Sequence, residues 1–241
     1  MTIIKPLLLT TLLGLSSLAE AMIAPGHGHA PLAWAGQVEL DHSRDKQAAG
    51  LTTWDGRLWL GDDRNRLLLR SAGEHRDGRT ESAELWALAS HNVSTFWDVQ
   101  AGLRADTAAD SEQYAVVGIE GLAPYFFDSE LHAFVDRDGN VALRAHQSVD
   151  VRVTQKLILQ PGLELNAGLQ REERSNGDSR LERGLRSSEI GLQLRYELRR
   201  EFAPYVEWVR ERRHGETADG QRAAGEHTGD SSWRLGVMLR F

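Results

Sequence analysis

The chain has no cysteine. That excludes disulfide staples, thiolate metal sites and thiol catalysis, and it suits an exported protein whose closed sheet needs no cross-links. Lysine is almost missing as well, with Lys46 and Lys156 the only two after Lys5. With a formal net charge of −7 and no lysine-rich stripe to neutralise phosphates, the sequence argues against a nucleic-acid partner. The positive charges are mostly arginines mixed with acids, which suits paired charges inside a polar channel better than a steering surface. Beyond the first 21 residues no apolar run approaches the roughly 20 residues that a membrane helix needs. The signatures of common enzymes are absent too: no Gly-x-Ser-x-Gly elbow, no His-Glu-x-x-His, no phosphate-binding glycine loop and no zinc-finger spacing. The expectation is a protein that is not an enzyme.

What is present starts with an export leader. Lys5 precedes an apolar stretch holding Leu7, Leu8, Leu9, Leu12, Leu13, Leu15 and Leu18, and Ala19-Glu20-Ala21 gives the small-x-small pattern before cleavage. The sequence therefore predicts a signal peptide over residues 1–21 and a mature start at Met22. A short flexible His-containing periplasmic segment is expected over 22–34, followed by one β-domain over 35–241.

The β reading rests on two-sided alternation. In the last nine residues Trp233, Leu235, Val237, Leu239 and Phe241 fall on one face, and Arg234, Gly236, Met238 and Arg240 on the other. An apolar face on a closing strand with a terminal Phe resembles the assembly signal of bacterial outer-membrane barrels. The same pattern sets Trp97, Val99, Ala101 and Leu103 against Asp98, Gln100, Gly102 and Arg104, and it returns in 141–153, 157–170 and 189–198. A soluble sandwich would share this period. Three features favour a membrane barrel. The strands are long, about ten residues or more, as tilted membrane strands require. Short connections near 61–63, 91–94, 123–125, 154–155 and 199–201 alternate with longer polar ones near 42–51, 74–80, 106–112, 171–186 and 214–229. Aromatic residues gather at strand ends as a girdle would: Trp54, Trp59, Trp97, Tyr125, Phe126, Phe127, Tyr205, Trp208 and Trp233.

Counting from residue 52 gives eleven strands, and the even number that single-chain bacterial barrels carry is reached with Ala35 to Asp41. The predicted fold is an all-β transmembrane antiparallel barrel of about twelve strands in the outer membrane. Short turns face the periplasm, and the one short outer connection is Arg137-Asp138-Gly139-Asn140. The polar face then fills the lumen with mixed charges, including Arg57, Arg70, Glu84, Glu130, His132, Arg144, His146, Asp150, Arg195 and Glu207. Such a lumen predicts low conductance for large solutes.

Two places could hold a metal ion. Pro25-Gly26-His27-Gly28-His29-Ala30 offers two imidazoles beside the Met22 amine, a set suited to Cu(II), Zn(II) or Ni(II), although the same stretch also reads as a plain linker. On neighbouring inferred strands, His132 and His146 face inward with Glu130, Asp136 and Asp150, as N/O ligands or as ordinary lumen residues. His146, Ser148 and Asp150 share a face and raise the alternative of an outer-membrane hydrolase. Same-face neighbours in a strand nevertheless lie about 6–7 Å apart, too far for direct proton relay.

Several longer motifs carry a resemblance: Trp54-Asp55-Gly56-Arg57-Leu58-Trp59-Leu60-Gly61-Asp62-Asp63-Arg64-Asn65-Arg66-Leu67, Phe96-Trp97-Asp98-Val99-Gln100-Ala101-Gly102-Leu103-Arg104, Gly118-Ile119-Glu120-Gly121-Leu122-Ala123-Pro124-Tyr125-Phe126-Phe127 and Arg195-Tyr196-Glu197-Leu198-Arg199-Arg200-Glu201-Phe202-Ala203-Pro204-Tyr205-Val206. Over residues 52 to 241 the chain resembles the copper resistance protein B family of Gram-negative outer-membrane proteins. The resemblance implies a barrel acting in copper tolerance, with copper ions as cargo, usually beside a periplasmic multicopper oxidase and set in outer-membrane lipid and lipopolysaccharide. A structural barrel without a metal role is the other alternative. Members typically carry a Met- and His-rich amino-terminal region of the Met-x-His-x-x-Met kind. Here that region is reduced to Met22 and the stretch around His27 and His29. Because thioethers favour Cu(I), the tail of this chain lacks the ligands for high-capacity Cu(I) binding.

Overall fold

The computed structural model describes residues 33–44, 50–107, 111–169, 172–173, 179–180, 183–215 and 229–241. The expected signal peptide, His27 and His29 lie outside the described residues, as do parts of the connections expected near 42–51, 106–112, 171–186 and 214–229.

Alternating sequences with β-branched and large apolar residues on one face form twelve long strands. They are β1 (Ala33–Arg44), β2 (Gly50–Gly61), β3 (Asn65–Arg76), β4 (Arg79–Ser94), β5 (Trp97–Asp106), β6 (Gln113–Ala123), β7 (Phe127–Val135), β8 (Val141–Ser148), β9 (Leu157–Leu169), β10 (Arg183–Tyr196), β11 (Phe202–Arg213) and β12 (Gly229–Arg240). Each pairs antiparallel with the next in sequence, and β12 pairs with β1 from Gln37↔Arg240 to Ser43↔Arg234. The sheet therefore closes, leaving no edge whose donors and acceptors would go unpaired in hydrocarbon. No helix among the described residues is long and apolar enough to cross a membrane; the strands do so.

One ladder is interrupted for a covalent reason. Val149 donates its N–H to the Pro161 carbonyl at 3.2 Å, but Pro161 has no N–H to return. Regular β8 stops at Ser148, and the pairing with β9 resumes in the same register at Val151–Arg152.

The two faces are inverted relative to a soluble protein. Leu235 is 67% exposed and Leu103 66%, whereas Arg195 is 1% exposed and His132 3%. Apolar residues cover the outside and charges are buried within, as lipid around a polar lumen requires. The lumen also holds an apolar wedge: Trp86, Leu88, Val116 and Phe134 pack together with Leu68, Tyr114 and Ala142. The guanidinium of Arg104 stacks 4.9 Å from the Phe134 ring and that of Arg144 5.7 Å from Trp86, so the wedge merges into the charged network.

Four local expectations are corrected. The connection expected at 74–80 is a two-residue hairpin turn, Asp77-Gly78, with φ of 46° and 83°. Positive φ at both central positions suits a type I′ turn, whose twist matches the flanking strands. The turn expected at 91–94 comes later, because β4 runs to Ser94 through an irregularity between Asn92 and Ser94. Tyr205 is not part of the girdle: it is buried, lines the lumen and donates its hydroxyl to Asp41 Oδ2 at 3.2 Å. Trp59 likewise takes the parity of Arg57, opposite Leu68, with the Arg66 guanidinium 5.7 Å from its ring. The short turn after β2 is held by Asp62, whose carboxylate accepts the Asn65 and Arg64 N–H groups at 2.7 and 2.8 Å. These bonds keep its pKa below the usual carboxylate range.

The seam between first and last strands is tightly fitted. Gly36 and Phe241 exchange N–H···O bonds of 2.8 and 3.0 Å, and the Phe241 ring meets Trp34 at 5.8 Å. A Cβ on Gly36 would lie 2.3 Å from Phe241 Cε2, so only glycine leaves room for the ring. Gly36→Val is expected to destabilise the closed barrel by about 1–3 kcal/mol through overpacking. The check is the fraction of barrel that migrates as the compact form on unheated gels, which should fall. Wild-type behaviour would refute the fit.

Candidate functional site

Inward positions from β1, β2, β3, β4, β7, β8, β9, β10, β11 and β12 surround a cavity of about 410 Å³ within the barrel. Ten carboxylates line it: Glu39, Asp41, Asp55, Glu74, Glu84, Asp128, Glu130, Glu164, Glu189 and Glu207. Four arginines oppose them: Arg57, Arg70, Arg144 and Arg234. Mixed charge of this density is affordable inside a barrel only where opposite charges meet.

Two struts brace the lumen. In the first, Arg57 and Arg70 are paired neighbours on β2 and β3. Both reach Glu130 on β7, Arg57 Nη1 at 2.5 Å and Arg70 Nη1 at 3.3 Å, while Arg70 Nη2 also holds Asp55 at 2.8 Å. In the second, Glu84 on β4 accepts Arg144 from β8 at 3.1 Å, Arg104 from β5 at 2.8 Å and the Trp86 indole N–H at 3.0 Å. Buried Arg195 meets Asp150 at 2.6 Å, and Gln193 donates to Glu39 at 3.2 Å.

After these pairings a surplus of acid remains. Among the described residues no arginine lies within 4 Å of Glu39, Asp41, Glu74, Asp128 or Glu189. Asp41 Oδ1 and Thr53 Oγ1 are buried without a hydrogen-bond partner. Glu39, Asp41, Glu74 and Glu189, on the stretch of sheet running from β10 through β12 and β1 to β3, make an acidic wall that offers oxygen ligands and negative potential to a cation.

His132 and His146 both point inward but have different surroundings. The β7–β8 register sets His132 opposite Arg144 and His146 opposite Glu130. His132 is buried, bonds Gln100 through Nε2 at 2.8 Å and meets Trp86 edge-on at 5.3 Å. A Cβ on Gly118 would come within 2.3 Å of its ring, so the glycine makes its niche. His146 lines the cavity, flanked in register by Glu130 and Glu164.

The acids predicted beside these histidines are occupied elsewhere. Asp136 caps its turn by accepting the Asp138 and Asn140 N–H groups at 2.8 Å each, Asp150 holds Arg195, and Glu130 holds Arg57 and Arg70. Among the described residues no group of three or more His, Asp or Glu is placed to hold a metal ion. Nor does a hydrogen bond join His146 to Ser148, which is buried beside Gly162. The acidic wall is not visible in any single residue of the sequence. Its signal was the alternation of Gln37, Glu39 and Asp41 on β1 and the placement of Glu74 inside β3 rather than in a loop.

A family model, Copper resistance protein B precursor (CopB), matches residues 32–241. The chain is 43% identical over 190 residues to Copper resistance protein B of Escherichia coli, covering 78% of this chain and 63% of that protein. It is 41% identical over 209 residues to the Copper resistance protein B homolog of Pseudomonas syringae pv. tomato, covering 86% of this chain and 68% of the other. The chain therefore spans less than two thirds of the first of these relatives. Among solved structures it is similar to NanC porin, with a TM-score of 0.56 at 12% identity over 84% of this chain and 98% of the other. It is also similar to KdgM porin in complex with disordered oligogalacturonate, with a TM-score of 0.50 at 11% identity over 85% and 99%. Identities this low speak for the porin-like fold alone. The protein is thus an outer-membrane β-barrel, and the chain belongs to the copper resistance protein B family.

Proposed function

We propose that this barrel supports copper tolerance by binding copper ions at the outer membrane and passing them along its lumen. The observation that carries the reading is the excess of carboxylates over arginines around the mid-lumen cavity. A water-filled space with that imbalance concentrates cations and repels anions. Its lining donors are oxygens with one half-buried imidazole, His146, which suits a hydrated divalent ion held loosely rather than a buried thioether site for Cu(I). Weak holding is an advantage in a conduit, where an ion must leave as readily as it enters.

His27 and His29, with the Met22 amine, are the proposed capture ligands in the segment that precedes the barrel in sequence. Inside the barrel His146 is the better of the two proposed lumen ligands, because His132 is committed to Gln100. A periplasmic multicopper oxidase is the proposed partner, taking or supplying the ion on that side.

Copper titration of the purified barrel, with and without residues 22–34, tests this directly. The full mature chain should bind Cu(II), and the shortened form should lose the tighter class of sites while keeping weak binding in the lumen. If neither form binds copper above background, and removal of the gene leaves copper tolerance unchanged, the reading fails.

A further inference from the structure

The outer face of the barrel is not uniform around its outer rim. From β5 to β9 the outward residues near the outer strand ends are small or apolar, as with Ala105, Val135, Val141 and Ala167, and the described ones on β1 to β4 are uncharged side chains or histidines, as with Thr52 and His75. On β11 the outward face instead runs Val206, Trp208, Arg210, Arg212 toward the outer end. Register settles the side. Arg210 stands opposite Ile190, which is 52% exposed, and Trp208 stands opposite Trp233, which is 66% exposed. Both arginines are exposed. Among the described residues neither has an ion pair or hydrogen bond, whereas the neighbouring inward Glu211 is taken by Arg213 at 3.3 Å.

We propose that Arg210 and Arg212 form a binding site for the phosphorylated glucosamine head of lipopolysaccharide in the outer leaflet. Order along the strand fixes the depth. Val206 lies in hydrocarbon and Trp208 with Trp233 marks the interface. Arg210 and Arg212 follow one and two residue pairs further out, at about 6.6 Å per pair along a tilted strand, where the headgroup phosphates lie. A guanidinium presents a planar fork of donors matched to phosphate oxygens. Serine hydroxyls complete the surface: Ser231 is opposite Arg210 and Ser188 is opposite Arg212. The Ser188 hydroxyl also contacts His214 Nε2 at 2.8 Å.

The choice of lipopolysaccharide over a phospholipid follows from the spacing of charges. Two guanidiniums stacked about 7 Å apart along the strand, with no carboxylate among the described outward residues flanking them, suit a head with more than one phosphate. A single phosphodiester would leave one arginine uncompensated.

The test uses the full barrel in detergent, titrated with bisphosphorylated lipid A, its monophosphorylated form, phosphatidylglycerol and phosphatidylcholine. Quenching of the neighbouring tryptophans and intact-complex mass spectrometry are the readouts. Bisphosphorylated lipid A should bind most tightly, and the Arg210→Gln/Arg212→Gln barrel should lose about thirtyfold in affinity. Arg210→Lys/Arg212→Lys should recover part of the loss. Arg79→Gln, at an exposed turn elsewhere on the outer rim, should leave binding unchanged. Compact mobility on unheated gels confirms that the variants are folded. Equal binding of phosphatidylglycerol, or lipid A binding that ignores both arginines, overturns the proposal.

Discussion

Glu130→Ala should be among the most damaging single substitutions in this barrel, lowering its unfolding free energy by about 3–5 kcal/mol, the usual cost of breaking a buried pair by removing one partner. Glu130 is 7% exposed and is the shared acceptor for Arg57 and Arg70, so its removal leaves two lumen guanidiniums with only Asp55 between them. Because Glu130 comes from β7 and the arginines from β2 and β3, the substitution also cuts a brace across the lumen. Urea unfolding of barrels reconstituted in lipid vesicles measures the loss. Glu130→Gln should cost less, since its amide oxygen still accepts a hydrogen bond. The combination of Glu130→Leu with Arg57→Met and Arg70→Met should recover most of the stability, because no charge is then left buried alone. If Glu130→Ala unfolds like the wild type, the strut contributes nothing.

Much of this architecture was legible because a lipid-facing strand has to alternate. The faces of β12 follow from its sequence: Arg234 is inside with Glu207, and Trp233 and Leu235 are outside. The even strand count located β1 and hence the closing seam. Legibility failed where a residue type was weighed above its parity. An aromatic residue at a strand end suggests the girdle, yet Tyr205 shares parity with Glu207 and so must point inward. Its ring needs Gly236 opposite, where a Cβ would lie 2.4 Å from Tyr205 Cζ. The Asp77-Gly78 turn was hidden because charged residues on both sides looked like a loop.

The site was harder to read, for a geometric reason. Parity places a side chain inside the barrel but does not say which opposite wall it meets. That depends on strand tilt, side-chain reach and what else fills the lumen. Alternation turns His132 and His146 inward, and both do face the lumen. Yet His132 leans toward β5 and Gln100 while His146 stays on the cavity, because Trp86 and Phe134 occupy the space between β4 and β7. On β4, Leu85 and Trp86 are both large and apolar, so alternation there carried no information; the first is 52% exposed to lipid and the second is 3% exposed in the wedge.

Neutralising the unpaired wall should change what the lumen admits. In planar bilayers the wild-type barrel is expected to give small currents that prefer cations, since the cavity carries carboxylates in excess and the wedge narrows the rest of the lumen. The triple variant Glu39→Gln, Glu74→Gln, Glu189→Gln removes three carboxylates that have no arginine within 4 Å, so no guanidinium is left stranded. Each charge about 8 Å from a passing cation contributes roughly 0.5–2 kcal/mol for an effective dielectric constant between 80 and 20. Three of them amount to about tenfold or more in cation preference. The reversal potential under a salt gradient should move toward zero, and copper tolerance in cells should fall with it, while unfolding stability changes little. Removing Glu130 does the reverse, reducing stability before selectivity, so the two variants separate carboxylates that brace the barrel from those that face the ion. A wide, steady, unselective pore in the wild type, or an unchanged reversal potential in the triple variant, would show that the acidic wall does not govern permeation.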